Sequence, residues 1–221
     1  MFYLWRPYVS AAERRRKAER EIAKSRKKGA QMEPVVIRGR AIAATFWGKA
    51  WCDNLETYSN YENRIPRGRT YVRNGSVLDL QISKGQVTGM VNGSEIYRTS
   101  ITIKELKKDD WLNLVESCTG QIGSALELLQ GKFSKSVMEI MTCDKTGLFP
   151  KPNEISMKCS CPDSAYMCKH LAAMLYGVGA RLDHAPELLF VLRHVEPMDL
   201  ISAATKMPTM AKGRKNKKTI T

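Results

Sequence analysis

An α+β fold, an antiparallel β-meander packed with helices, is what the 221 residues predict. Three observations point to it. Between residues 70 and 103 apolar and polar side chains alternate, interrupted by the tight-turn pairs Asn74-Gly75, Lys84-Gly85 and Asn92-Gly93. That pattern suits short strands joined by two-residue turns, because an Asn-Gly pair readily takes the positive φ such turns demand. On either side, apolar residues recur at intervals of three and four, the period of an amphipathic helix. Near the C-terminal side, three of the six cysteines and one of the three histidines crowd into twelve residues, Cys159 to His170.

The elements follow in chain order. Ser10-Ala-Ala-Glu13 has the form of a capping box and opens a helix that Gly29 ends. Ile22 is the one large apolar side chain in this helix, so it has little reason to pack into a core and is expected to stand in solvent or lie on a partner. Phe46, Trp47, Ala50, Trp51, Leu55 and Tyr58 mark a second helix over 46–58, and their spacing assigns both tryptophans to the core. Strands are expected at about 70–73, 76–82, 86–91 and 95–103, with Leu78, Leu80 and Ile82 on the buried face of the second. Helical patterns return at about 109–117, 120–130 and 134–142, and Gly147 to Asn153 forms a loop. A strand over 154–158 enters the cysteine cluster and a helix leaves it. Pro186 to Val195 and Pro197 to Ala204 each begin with a proline suited to a first helical turn.

The cluster reads Cys159-Ser-Cys161-Pro-Asp-Ser-Ala-Tyr-Met-Cys168-Lys-His170. Sulfur and imidazole donors in this number suit tetrahedral zinc. Cys159 and Cys161, two apart on a strand, share a side, and Pro162-Asp163 turns the chain back. Cys168 and His170 would stand about 200° apart on a regular helix, so Cys168 is expected just before it and His170 in its first turn. Four protein ligands leave no position for water, which makes one structural zinc the expected cofactor and the net-negative centre no phosphate-binding cation. Leu171, Met174, Leu175 and Val178 form the stripe expected to anchor a strand-strand-helix zinc module to the main body. Cys52, Cys118 and Cys143, with no metal-like neighbours, read as small apolar residues, and His184 and His194 carry no further signal.

Cys-x-Cys-x6-Cys-x-His followed by Leu171-Ala-Ala-Met-Leu-Tyr resembles the SWIM zinc finger. Arg6-Pro-Tyr, Ala12-Glu-Arg-Arg-Arg-Lys-Ala-Glu-Arg, Phe46-Trp-Gly-Lys-Ala-Trp51, Arg67-Gly-Arg69 and Pro186-Glu-Leu-Leu-Phe190 extend the resemblance to bacterial SWIM zinc finger domain-containing proteins over most of residues 5–195. The zinc ligands carry over residue by residue; the other motifs carry no assigned chemistry. The resemblance implies binding to DNA or to protein partners, often beside a helicase.

Charge bears on the partner. The chain is +14 overall, with 12 Lys+Arg against 4 Asp+Glu in residues 1–40 and five cations against no acid in the last ten. The middle is near neutral, so basic ends flank an ordinary globular body, and a polyanion is the expected partner. Candidate phosphate contacts are Arg14, Arg15, Arg16, Lys17, Arg20, Lys24, Lys27 and Lys28 in the first helix, and Lys212, Arg214 and Lys215 in the tail. Arg67, Arg69 and Arg73, with Tyr71, are a further candidate group at the edge of the meander.

No Walker loop, His-Glu-x-x-His helix, nucleophile elbow or set of paired acidic clusters occurs, so no catalysis and no small-molecule substrate are expected. No signal-like apolar run opens the chain and no stretch approaches a membrane span, which leads to an expectation of cytoplasmic location. The expected divisions are a basic helix and linker over 1–40, a core domain over 41–150 and the zinc finger over 151–185. C-terminal helices over 186–206 and a disordered basic tail over 207–221 complete them. The leading function is a zinc-binding, non-enzymatic nucleic-acid-binding accessory protein, with DNA favoured over RNA. The alternative is a protein-interaction adaptor recruited through the zinc module.

Overall fold

Strands form where alternation is strongest. In the computed structural model, which describes residues 10–29, 31–57, 64–119, 121 and 133–205, β1 (Val77–Ser83), β2 (Gln86–Asn92) and β3 (Ile96–Ile103) make an antiparallel meander. Lys84-Gly85 turns β1 into β2, with Gly85 at φ 64°. β4 (Ile155–Cys159) then pairs antiparallel with β3, giving the order β1-β2-β3-β4. Tyr97, Thr99, Ile101 and Ile103 of β3 point inward and their neighbours outward, as the two-residue period requires.

Leu78 departs from that regularity. A register shift between Val77 and Asp79 sends Leu78 to the opposite face from Leu80, and both are buried because both faces are covered at this end. The cover over Leu78 is α1 (Ala11–Lys27), whose N-cap Ser10 accepts a hydrogen bond from the Glu13 backbone N–H. This helix does not stand away from the body. Ala18 is 3% exposed and, with Ile22 and Met32, packs on Leu78, Met90 and Ile96. Expectation failed here because one small residue, Ala18, admits a close approach that a count of large apolar side chains does not register.

The inner face carries the main core. α2 (Phe46–Glu56), α3 (Ile65–Arg73) and the central α6 (Lys169–Leu182) stack beneath it, so the layers run α1, sheet, α6, then α2 with α3. The intervening α4 (Lys108–Cys118) and α5 (Lys135–Met141) pack on each other, and α7 (Leu188–Arg193) and α8 (Met198–Thr205) follow α6. Every residue from His170 to Gly179 is buried, so α6 is apolar around its whole circumference rather than along one stripe. With β4 in the meander sheet and α6 at the centre of the core, segments 41–150 and 151–185 share one hydrophobic interior. The module is strand, loop and helix, and no second strand of its own lies among the described residues.

Residues 70–73 are helical, not extended. Pro66 sets the first turn, and Ile65, Gly68 and Val72 at helical spacing face inward. Asn74-Gly75 is consequently a helix stop, with Gly75 at φ 67°, rather than a hairpin turn. The same positive φ serves both purposes, which is why the pair misled. Trp47 and Trp51 are buried as their spacing required, and Trp51 Nε1 donates to the Leu175 carbonyl at 2.8 Å. At the far end of α6, the Asp183 carboxylate accepts from the Ala44 N–H (2.6 Å), the Thr45 N–H (3.0 Å) and the Thr45 hydroxyl (2.6 Å), tying it to the start of α2. Tyr58, most of the helix expected over 120–130 and the basic tail lie outside the described residues. No described helix is long and apolar enough to cross a membrane.

Candidate metal centre

Cys159 ends β4, Cys161 is the second residue of the following loop, Cys168 is the N-cap residue of α6 and His170 is its second residue. The loop between the two pairs is pinned both within itself and from outside. Asp163 accepts from the Ala165 N–H at 3.1 Å and forms an ion pair with Arg64, just before α3, at 3.0 Å. The Tyr166 hydroxyl donates to the Ile155 carbonyl, and Met167 is fully buried. These contacts bring the four donor atoms within 4.8 Å of one another.

The donor set fits zinc. His170 Nδ1 lies 3.7 Å from Cys168 Sγ and 3.9 Å from Cys159 Sγ, close to the edge of about 3.5–3.8 Å that zinc bond lengths impose on a tetrahedron. Nδ1 is thus the nitrogen that faces the thiols. Tyr97 lies across the imidazole with ring centroids 4.4 Å apart, and Tyr71 meets it edge-on at 5.4 Å. Nε2 is buried with no hydrogen-bond partner, on the side where a Cβ on Gly93 would come within 2.9 Å of it. Gly93 and the two tyrosines therefore fix the ring so that its lone pair on Nδ1 is available to a metal. No local pattern could have announced them, since Tyr97 lies 73 residues before His170 in the chain.

Thiol electrostatics follow from the same crowding. The hydrogen bond with Cys159 first, then those with His170 and the Leu171 backbone N–H, hold the Cys168 thiol down to about 3 against the opposing effect of burial. Cys159 is pushed up by its hydrogen bond to Cys168 and by burial, and Cys161 is raised chiefly by burial. Among the three thiols the ionised form is favoured at Cys168 and disfavoured at Cys159 and Cys161. Zinc requires all three as thiolates, so loading the folded site should release about two protons, against about three if the metal-free site were an unstructured set of free thiols. The sign is that acid weakens binding. Zinc affinity should fall by at least about two decades per pH unit on moving below neutrality, a slope readable by competition with a chromophoric chelator across that range.

The cationic candidates separate into distinct environments. Arg16, Lys17, Arg20, Lys24, Lys27 and Lys28 are exposed on α1, and Lys17 Nζ donates to the Ser94 carbonyl at 3.3 Å. Arg14 and Arg15 fall on the same helix, but their side chains are outside the described set. Arg67 and Arg73 are exposed on α3, not at a strand edge. Arg69 turns inward. It pairs with Glu56, reaches the Tyr176 hydroxyl at 3.3 Å and lies over the Tyr176 ring at 5.7 Å, bracing α2, α3 and α6. Its charge is paired with Glu56, and both side chains remain partly exposed. Lys212, Arg214 and Lys215 lie outside the described residues. Cys52 and Cys118 are buried, their thiols pushed up to about 12 and about 11 chiefly by burial, and Cys143 is exposed.

Residues 155–177, from β4 into α6, match the SWIM zinc finger family. Over 165 residues the chain is 35% identical to the uncharacterized protein Rv2102 of Mycobacterium tuberculosis, an alignment covering 73% of this chain and 59% of that protein. The chain thus spans less than two thirds of this relative. No solved structure gives a significant match.

Proposed function

For a chain that carries a SWIM zinc finger with the ligand set of one structural zinc, we propose a non-enzymatic accessory protein that binds nucleic acid, with DNA the favoured partner. One observation carries the proposal. α1 is docked by Ala18 and Ile22, and on its opposite side Arg16, Arg20, Lys24 and Lys27 form an exposed cationic ridge. At 100° per residue these four stand about 160–240° round the helix from Ala18 and extend over about 16 Å. Among the described residues, none of the four forms an ion pair. A helix held against a sheet presents such a row with little further loss of backbone freedom, and the row matches the charge of a phosphate backbone.

The zinc has a bracing part in this reading. Three thiolates and an imidazole fill a tetrahedral shell, so the site offers no open coordination position to a substrate, and its net negative charge repels phosphate. A helicase working on the same DNA is the partner class that the family resemblance implies.

Fluorescence anisotropy with a labelled DNA duplex tests the proposal. The four ridge cations should contribute roughly −3.6 to the logarithmic salt slope of affinity, since each neutralised phosphate adds about −0.9. The variant R16A/R20A/K24A/K27A should keep its zinc and its melting temperature while losing at least about 100-fold in affinity at low salt. Wild-type protein that fails to bind duplex at low salt would sink the proposal.

A further inference from the structure

α1 covers only one end of the sheet's outer face, seated on Leu78, Met90 and Ile96. Beyond it the same face continues as a polar shelf. Thr88 of β2 and Ser100 and Thr102 of β3 point outward, joined by Ser156 of β4, and none of them is buried. Two cations stand among them. Arg98 follows Ile96 by two residues and is exposed on the same face. Lys158 is opposite Ser100 in the β3–β4 register and is exposed as well. Arg98 and Lys158 are therefore diagonal neighbours, with their Cβ atoms about 7 Å apart. Among the described residues, neither makes an ion pair.

The zinc centre sets the position of both. Lys158 immediately precedes Cys159, and strand alternation turns the lysine out as it turns the ligand in. Ser160, enclosed between Cys159 and Cys161, closes a two-way clamp on Arg98. The Arg98 N–H donates to Ser160 Oγ at 3.0 Å, and the Ser160 N–H donates to the Arg98 carbonyl at 3.0 Å. Any ligand-driven order at Cys159 and Cys161 is passed directly to the backbone beneath these two side chains.

We propose that Arg98 and Lys158 are a second phosphate-contacting pair, positioned by the zinc centre, which acts together with the α1 ridge on the backbone of duplex DNA. The proposal rests on the nucleic-acid reading above and specifies its surface. Hydroxyls around the pair are groups that bond phosphate and sugar oxygens. The shelf bears no aromatic side chain among its described residues, whereas binding of single strands relies on stacking bases against aromatic rings. Duplex is therefore the form this surface suits.

The test compares wild type, R98A/K158A, R98K/K158R and the α1 variant on a labelled duplex and on one of its strands alone, with zinc content and melting temperature as controls for folding. R98A/K158A should reduce the magnitude of the salt slope by about 1.8 and weaken duplex binding at least about tenfold at ~0.1 M salt. R98K/K158R, which keeps both charges, should restore both quantities. If R98A/K158A binds with wild-type affinity and slope while the α1 variant loses binding, this proposal is overturned and the ridge reading stands. Single strand bound as tightly as duplex overturns the duplex assignment. Wild type that binds neither removes both readings.

Discussion

Cys168→Ala protein is expected to retain less than about a tenth of an equivalent of zinc and to lose its cooperative thermal transition. The magnitude follows from where the ligand sits. Cys168 is 1% exposed and His170 is 3% exposed, both at the start of the helix that fills the centre of the core. Structural zinc contributes on the order of 10–16 kcal/mol of apparent binding free energy, comparable with the roughly 5–15 kcal/mol net stability of a whole domain. A finger hung on the outside of a body could unfold alone. Here β4 is a strand of the sheet and α6 is shared by both halves of the core, so loss of the metal should propagate through the fold. Zinc released to a chromophoric indicator and near-ultraviolet circular dichroism on heating measure the two effects. Cys143→Ser is the control, because that thiol is exposed and outside the cluster. It should keep one equivalent and the wild-type melting temperature. A Cys168→Ala protein that melts like wild type would show that the fold does not depend on the centre.

Gly68→Ala should be the most damaging single-methyl change in α3. Alanine favours a helix by about 1 kcal/mol over glycine, so on propensity alone the substitution would stabilise. The packing argues the other way. A Cβ at residue 68 would stand 2.4 Å from the Ala172 Cβ, 2.8 Å from the Ala172 carbonyl carbon and 2.9 Å from the Ala173 nitrogen. Neither the α6 backbone nor a lone methyl can rotate aside, and α3 and α6 would have to separate. Overpacking of this kind costs typically about 1–3 kcal/mol, and separation also disturbs the Tyr71 edge against His170. Urea unfolding should therefore show a net loss of up to about 2 kcal/mol, accompanied by weaker zinc retention. Gly29→Ala offers a contrast, with no atom within 4 Å of the new methyl and only the penalty of its φ of 82°. It should leave zinc affinity untouched. Equal zinc retention in the two variants would refute the coupling of the α3–α6 contact to the metal centre.

Much of the site was legible because its determinants are local. Four soft donors in twelve residues, spaced so that alternation on a strand and the start of a helix can converge them, need little beyond covalent geometry to be recognised. The meander was legible for the same reason, its alternation and the Lys84-Gly85 turn lying within the segments they describe, whereas Asn74-Gly75 ends a helix and Gly93 takes no positive φ. The support around His170 was not. Tyr97, Gly93 and Tyr71 reach it from elements 73 to 99 residues away, and no spacing rule connects them.

What the sequence determined by itself, then, is the donor set, the antiparallel meander, most of the helices and the concentration of positive charge at the ends. Each depends on side-chain chemistry and on periods of two or 3.6 residues. Tertiary structure alone decided that 65–73 is a helix facing Ala172, that Leu78 and Leu80 point to opposite faces, and that Arg69 pairs with Glu56 and Tyr176. It also decided that α1 lies on the sheet and that α6 is the central helix rather than an appendage. In each case the outcome was set by contacts between segments far apart in the chain. Burial against a partner surface outweighs the few tenths of a kcal/mol by which local propensities differ.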